Sequence, residues 1–125
     1  DRVDLKVRMD PVGRAELLAD RGRVESTEVV AKRVMLARQR AAERFGGLPW
    51  SSNSEIPSRQ LQSTFRPEPA AMATLERELA TGWLSMRGFD RVMRVAWTLA
   101  DLADRSRPGV DEVGEALYLR TGVAA

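Results

Sequence analysis

Hydrophobic residues alternate with charged residues at the start of the chain and recur at helical spacing through most of the remainder. The alternating apolar residues are Val3, Leu5, Val7 and Met9. A period of two predicts a half-buried β-strand, which Pro11 ends. Because one strand cannot form a sheet alone, either its partners lie upstream of residue 1 or the strand is frayed.

A first long helix is predicted to begin after Ser26 or Thr27, since either side chain can cap it. The apolar stripe of this helix, at spacings of three and four, consists of Val30, Val34, Ala37, Ala41 and Phe45. Gly46 ends the periodic pattern. The segment 46–58 is rich in Gly, Ser, Asn and Pro and is therefore predicted to be a loop.

Further helices are predicted in the second half of the chain. A short one begins at Pro57, and the next begins at Pro67 or Pro69, where a missing N–H costs nothing. Ser85 caps a long helix, and Asp111 caps the last one. The apolar positions of the last three helices are Met72, Leu75 and Leu79, then Phe89, Val92, Ala96, Leu99 and Ala103, then Val113, Ala116 and Leu117.

These elements predict a mainly α fold, a helical bundle preceded by one β-strand. Residues 1–10 are assigned to the end of a core domain, 11–25 to a connector, and 26–125 to the helical domain with its loop 46–58. The chain lacks an initiator Met and is expected to be a fragment. No apolar run approaches the roughly 20 residues that span a bilayer, and no signal peptide is recognisable, so we expect a cytoplasmic protein without membrane contact.

The composition excludes several kinds of chemistry. The 125 residues are 43% hydrophobic and 30% charged, as in one soluble domain, and they include no Cys and no His. We therefore expect no metal site, disulfide or imidazole-based triad. Neither Lys6 nor Lys32 lies in a phosphate-binding loop motif, so the fragment itself is predicted not to be an enzyme and to hold no cofactor.

The charged residues are nearly balanced, with 20 basic against 18 acidic side chains and a net charge of +2. Any basic surface must therefore be local. On the helix that Ser85 caps, basic residues at i, i+4 and i+7 form an arginine stripe, which consists of Arg87, Arg91 and Arg94. The stripe opens at the helix N-terminus, where free amides favour an anion, although pairing of Asp90 with Arg94 would make it an ordinary exposed face. Asp101 is expected on a solvated or ion-paired face, with Arg105 four residues further on as its partner.

Two segments of the chain resemble magnesium-chelatase-like AAA+ ATPases. Residues 84–102 read LSMRGFDRVMRVAWTLADL and are similar to the second-sensor helix of the C-terminal part of these proteins. Residues 1–5 read DRVDL and resemble the end of the motif that carries their arginine finger. The helix ending at 44–46 and the final EALYLR at 115–120 extend the resemblance over nearly the whole chain. Asp4, where the tetrapyrrole chelatase subunits usually have Gly, favours the competence-protein (ComM/YifB-type) branch.

The resemblance implies roles for particular residues. Arg2 matches the arginine finger, and Arg87 matches the second sensor that contacts ATP phosphate, both acting in the parent protein only. Arg91 and Arg94 match basic positions without an assigned role and are accessory candidates. Trp97 stands where Arg is common and is interpreted as an additional packing or partner-contact residue.

The function implied by the resemblance is that of a lid in a ring-forming ATPase. The parent would use ATP and Mg, and the lid would contact the AAA+ core and neighbouring subunits of a homo-oligomer. A parent of the competence type would act on DNA, whereas a chelatase would take part in metal insertion. Two alternatives come from other classes. One is an independent nucleic-acid-binding module that uses the arginine stripe with Arg33, Arg40 and Arg44; the other is a protein-interaction module with Trp50 or Trp83 exposed.

Overall fold

The computed structural model describes residues 3–9, 11, 13–15 and 24–122. Within these ranges the chain is mainly helical, as predicted. The elements with described bounds are α1 (Thr27–Phe45), a 3-10 turn (Asn53–Glu55), α2 (Ser58–Leu61), α3 (Pro69–Ala80), α4 (Met86–Leu102) and α5 (Val110–Thr121). The short helix expected at Pro57 is confirmed as α2, and the helix expected at Pro67 or Pro69 is confirmed as α3, which begins at Pro69.

The strand predicted from the alternation of residues 3–9 is not formed, and the described residues contain no strand. Val3, Leu5, Val7 and Met9 remain between 49% and 84% exposed. A strand needs the backbone of a neighbouring strand, and no described segment offers one. The Lys6 amide instead donates to the Leu119 carbonyl, 2.5 Å away. The last carbonyls of a helix lack partners within that helix, so the Leu119 carbonyl in the last turn of α5 is available to this amide.

Helix α1 is packed along only its second half. Ser26 caps it, because its Oγ accepts a hydrogen bond from the Val29 amide at 3.2 Å. The apolar stripe divides into a buried part, consisting of Ala37, Ala41 and Phe45, and an exposed part, consisting of Val30 and Val34. Gly46 ends the helix with a φ of 54°, a conformation that favours glycine. The predicted start and end of this helix are therefore confirmed, whereas the predicted burial holds only toward its C-terminus.

Helix α4 is the central element and packs against both α1 and α5. Phe89, Val92 and Ala96 are buried as predicted, but Ala103 follows the end of the helix and is exposed. The core around α4 consists mainly of large apolar side chains from the other elements: Phe45, Ile56, Leu61, Phe65, Leu75, Val113 and Leu117. Burying these side chains provides the main driving force for closing the helices around α4.

An aromatic cluster connects the loop after α1 to the core. Successive rings of Phe45, Trp50, Phe65 and Trp97 meet edge to face, with centroids between 5.8 and 6.0 Å apart. The Trp97 indole N–H donates to the Phe65 carbonyl at 2.9 Å. Trp97 is therefore a buried packing residue, as one of the two interpretations of it proposed.

The start of the last helix differs from the prediction by two residues. Helix α5 begins at Val110, and its N-cap is Gly109 instead of Asp111. The buried Gly109 amide donates to a Glu112 carboxylate oxygen at 2.8 Å, so a side chain within the first turn satisfies it. A carboxylate at this position also compensates the positive end of the helix dipole.

Candidate functional site

The arginine stripe begins at the N-terminus of α4. Gly82, with a φ of 81°, turns the chain after α3, and Ser85 caps α4 by accepting a hydrogen bond from the Gly88 amide at 3.0 Å. Arg87 therefore lies in the first turn, where the free amides and the helix dipole create positive potential. Its side chain is exposed and makes no hydrogen bond or ion pair with any other residue in the described part of the chain.

Arg91, one turn further along α4, is bound to the N-terminal segment. Its Nη1 donates to the Asp4 carboxylate at 2.7 Å. The Arg91 side chain is 21% exposed and that of Asp4 is 47% exposed, so the contact is a partly solvated ion pair. The guanidinium of Arg91 is therefore occupied within the domain.

Arg94 holds the loop before α2. Its Nε and Nη2 both donate to the Ile56 carbonyl, at 3.1 and 2.9 Å. The expected pairing of Asp90 with Arg94 is wrong, because Asp90 accepts from the Ser58 hydroxyl at 3.0 Å. A backbone carbonyl has no side-chain signature, so spacing along the helix could not reveal this partner.

An open cleft of about 420 Å³ lies beside the second and third arginines of the stripe. Its lining comes from the N-terminal segment, the 3-10 turn and α4, and includes Asp4, Leu5, Ser54, Arg91, Arg94 and Thr98. Both guanidinia at this cleft are already hydrogen-bonded, which leaves Arg87 as the stripe member whose donors are free within the described residues.

Sequence reasoning missed a buried polar network at the other end of α4. Asp101 is 2% exposed and accepts from Arg44 Nη1 at 2.6 Å and from Arg44 Nη2 at 2.9 Å. Asn53 donates to the same carboxylate at 2.9 Å. The Arg44 guanidinium also lies 4.3 Å from the Trp97 ring centroid, a cation–π contact.

Asp101 is therefore ion-paired, but it is buried and its partner is Arg44 instead of the expected Arg105. Arg105 instead contacts Glu68 at 3.3 Å and Glu112 at 3.0 Å. A signal in the sequence was available, since Asp101 follows the buried Trp97 by four residues and so lies on the same helix face. A carboxylate on a buried face requires a partner from another element.

Three further expectations concern the arginine finger, a metal site and a membrane-spanning helix. Arg2, the finger candidate, lies outside the described residues. Within the described ranges, no group of three or more acidic, His or Cys side chains is arranged to hold a metal ion. No described helix is both long and apolar enough to cross a bilayer.

Comparison with known proteins assigns the chain to a family. Residues 24–120 match the family described as the C-terminal part of magnesium chelatase subunit ChlI, and the chain belongs to that family. The resemblance inferred from residues 84–102 is thereby confirmed at the level of the family.

Particular relatives extend the match. The chain is 48% identical over 120 residues to uncharacterized proteins of Mycobacterium tuberculosis and Mycobacterium bovis, a match that covers 96% of this chain and 24% of each relative. It is 28% identical over 125 residues to the competence protein ComM of Haemophilus influenzae, across 98% of this chain and 23% of that protein. The chain thus spans about a quarter of the length of these relatives. No solved structure matches it.

Proposed function

We propose that this domain is the C-terminal lid of a ring-forming, magnesium-chelatase-like AAA+ ATPase and that Arg87 contacts the phosphates of ATP. The observation that carries the proposal is the contrast within the arginine stripe. Arg91 and Arg94 are held by Asp4 and by the Ile56 carbonyl, whereas Arg87 is exposed and makes no polar contact with the described residues.

The position of Arg87 suits a phosphate ligand. Its guanidinium offers aligned donors for bidentate contact with phosphate oxygens, and the first turn of α4 adds the positive end of a helix dipole. A phosphate contact at this point would bias the orientation of α4. Because α4 is packed between α1 and α5, the whole domain would then follow the nucleotide state as a rigid body.

The remaining parts of the ATPase would come from the parent protein. A phosphate-binding loop and the carboxylates that hold Mg would belong to the AAA+ core, and Arg2 would act as the arginine finger. Neighbouring subunits of the ring would be the partners. A competence-type parent would act on DNA, whereas metal insertion is the alternative for a chelatase-type parent.

The contacts of the basic residues argue against an independent nucleic-acid-binding module. That alternative uses six arginines, of which Arg87 alone makes no polar contact with the described residues. Arg33 pairs with Glu25, Arg40 with Asp104, and Arg44 with Asp101. Backbone phosphates would have to displace these internal partners, which lowers the affinity available from each contact.

The exposed Trp83 bears on the alternative of a protein-interaction module. Trp83 is 76% exposed in the turn before α4, whereas Trp50 packs against Phe45 and Phe65. An exposed indole two residues before the Ser85 cap favours a protein contact at the same end of α4 as Arg87. In the proposed function that contact is made with an AAA+ core.

The test is a set of single variants in the full-length ATPase, with ATP affinity and turnover measured separately. We expect Arg87→Ala to weaken ATP binding and to lower kcat, because a guanidinium at a helix N-terminus contacts phosphate in the ground state as well as in the transition state. Arg91→Ala and Arg94→Ala should leave ATP affinity nearly unchanged. Arg59→Ala is the matched control, since Arg59 is exposed on α2 and its side chain makes no polar contact within the described chain.

The same set of variants distinguishes the nucleic-acid alternative. Equal losses of DNA affinity at all three stripe arginines, with ATP turnover unchanged, would contradict the sensor role of Arg87. For Arg2→Ala we expect turnover to fall about a thousandfold or more while ATP still binds, because a finger acts mainly on transition-state charge.

A further inference from the structure

The segment that follows Arg2 contacts α5 and also α4, the helix that carries the candidate sensor Arg87. The Lys6 amide donates to the Leu119 carbonyl in the last turn of α5. The Val3 carbonyl accepts from Arg120 Nη1 at 3.3 Å. These backbone contacts fix the path of residues 3–6 along α5.

A side chain in this segment makes the link to α4. One oxygen of the Asp4 carboxylate lies 2.7 Å from Arg91 Nη1 and 4.0 Å from Arg120 Nη1. We name these three residues, Asp4, Arg91 and Arg120, the Asp4 clamp. The Arg91 and Arg120 side chains are only 21% and 12% exposed, whereas that of Asp4 is 47% exposed, so a partly solvated carboxylate contacts two mostly buried arginines.

The Asp4 clamp is adjacent to the first turn of α4. Arg91 lies four residues after Arg87 on the same helix, and therefore on the same face. Arg120 Nε lies 3.5 Å from the position that a Cβ on Gly88 would occupy, so the guanidinium of Arg120 lies beside the first turn of α4. The clamp therefore connects the residues after Arg2 to the turn that carries Arg87.

We propose that Asp4 is a positioning residue: its ion pairs with Arg91 and Arg120 lock the segment after the arginine finger onto the sensor helix, so that finger and sensor move as one unit. This inference rests on the proposed function. An ion pair that is half solvated contributes little to stability, so its main effect is on geometry. A displacement of about 1 Å at a catalytic group can cost on the order of a hundredfold in rate.

The experiment uses the full-length ATPase with Asp4→Ala, Arg91→Ala and the double variant. We expect Asp4→Ala to lower kcat roughly tenfold or more with ATP affinity unchanged, because a displaced finger loses transition-state contacts only. If both residues act through one contact, the double variant should lose no more than Asp4→Ala alone. Hydrogen exchange at the Lys6 amide should accelerate in Asp4→Ala, which reports release of the segment independently of activity.

Controls separate the failure of this inference from failure of the proposed function. Glu76→Ala removes an exposed ion pair of similar kind, with Arg66 at 3.7 Å, and should leave kcat unchanged. The positioning role of Asp4 would be overturned by wild-type turnover in Asp4→Ala or by additive losses in the double variant. If Arg2→Ala and Arg87→Ala still lose turnover in that case, the proposed function stands. If those two variants also keep full turnover, the proposed function fails and the clamp fails with it.

Discussion

The two ends of α4 use their charged residues in opposite ways. At the C-terminal end, Asp101 is buried and accepts hydrogen bonds from Arg44 and Asn53. At the N-terminal end, Arg87 is exposed and contacts none of the described polar groups. A buried charge must be compensated inside the domain, whereas an exposed cation at a helix N-terminus remains accessible to an anionic ligand. One helix can therefore anchor the fold at one end and present a ligand contact at the other.

The largest expected effect on stability is at Arg44. Arg44→Ala leaves the Asp101 carboxylate buried with Asn53 as a neutral partner, and we expect the free energy of unfolding to fall by about 3 to 5 kcal/mol. Arg87→Ala should change it by less than about 0.5 kcal/mol. Urea unfolding of the 125-residue chain, followed by circular dichroism, measures both. Similar losses for the two variants would remove the contrast between the ends of the helix.

A second prediction concerns the middle of α4, where Arg94 and Arg91 have partners of different kinds. Arg94→Ala removes the two hydrogen bonds that the Ile56 carbonyl accepts, and we expect the free energy of unfolding to fall by about 1 to 3 kcal/mol. Arg91→Ala removes a partly solvated ion pair with Asp4 and should cost at most about 1 kcal/mol. The same urea unfolding measurement compares them. A larger loss for Arg91 than for Arg94 would contradict the assignment of Arg94 to the fold.

The features that could be predicted from the sequence are local. The caps at Ser26 and Ser85 depend on side chains within three residues of the amides that they accept from, so short patterns predict them. Arg44, the partner of Asp101, lies 57 residues away along the chain, and no local pattern predicts a contact between residues so far apart. The alternation at 3–9 is also local, but a strand needs a neighbour that the alternation does not supply.

The candidate site shows the same division. The position of Arg87 in the first turn follows from the Ser85 cap, which involves only the four residues from Ser85 to Gly88. The partner of Arg91 is 87 residues away and that of Arg94 is a backbone carbonyl 38 residues away. The sequence therefore indicated which arginines share a face, but only the structure shows that Arg87 has no partner among the described residues.

A third prediction compares the N-terminus of α4 with that of α1. Ser85→Ala removes the acceptor for the Gly88 amide, and since α4 is central to the core we expect a loss of about 1 kcal/mol in the free energy of unfolding. Ser26→Ala removes the same type of cap, but the first half of α1 is exposed, so the loss should be confined to local fraying. Amide exchange should therefore accelerate in the first turn of α1 without a matching change in global stability. A global loss as large as that of Ser85→Ala would show that this half of α1 is coupled to the core.

The smallest expected effect is at Glu55, which ends the 3-10 turn that holds Asn53 against Asp101. Its carboxylate accepts from the Ser51 amide at 2.6 Å and from the Ser52 amide at 3.3 Å. These backbone donors, Ser51 foremost, hold the pKa of Glu55 below its ordinary value of 4.5.

A lowered folded-state pKa means that the charged carboxylate stabilises the turn at neutral pH, and that this contribution is lost as the pH falls through the folded pKa. Glu55→Gln should remove that pH dependence from the Ser51 amide, whose exchange protection we expect to weaken in acid only in the wild-type protein. An NMR titration of the Glu55 carboxyl and of the Ser51 amide measures both quantities. A Glu55 pKa at or above 4.5, or equal acid sensitivity of the Ser51 amide in both proteins, would contradict the assignment of these amides as its stabilising partners.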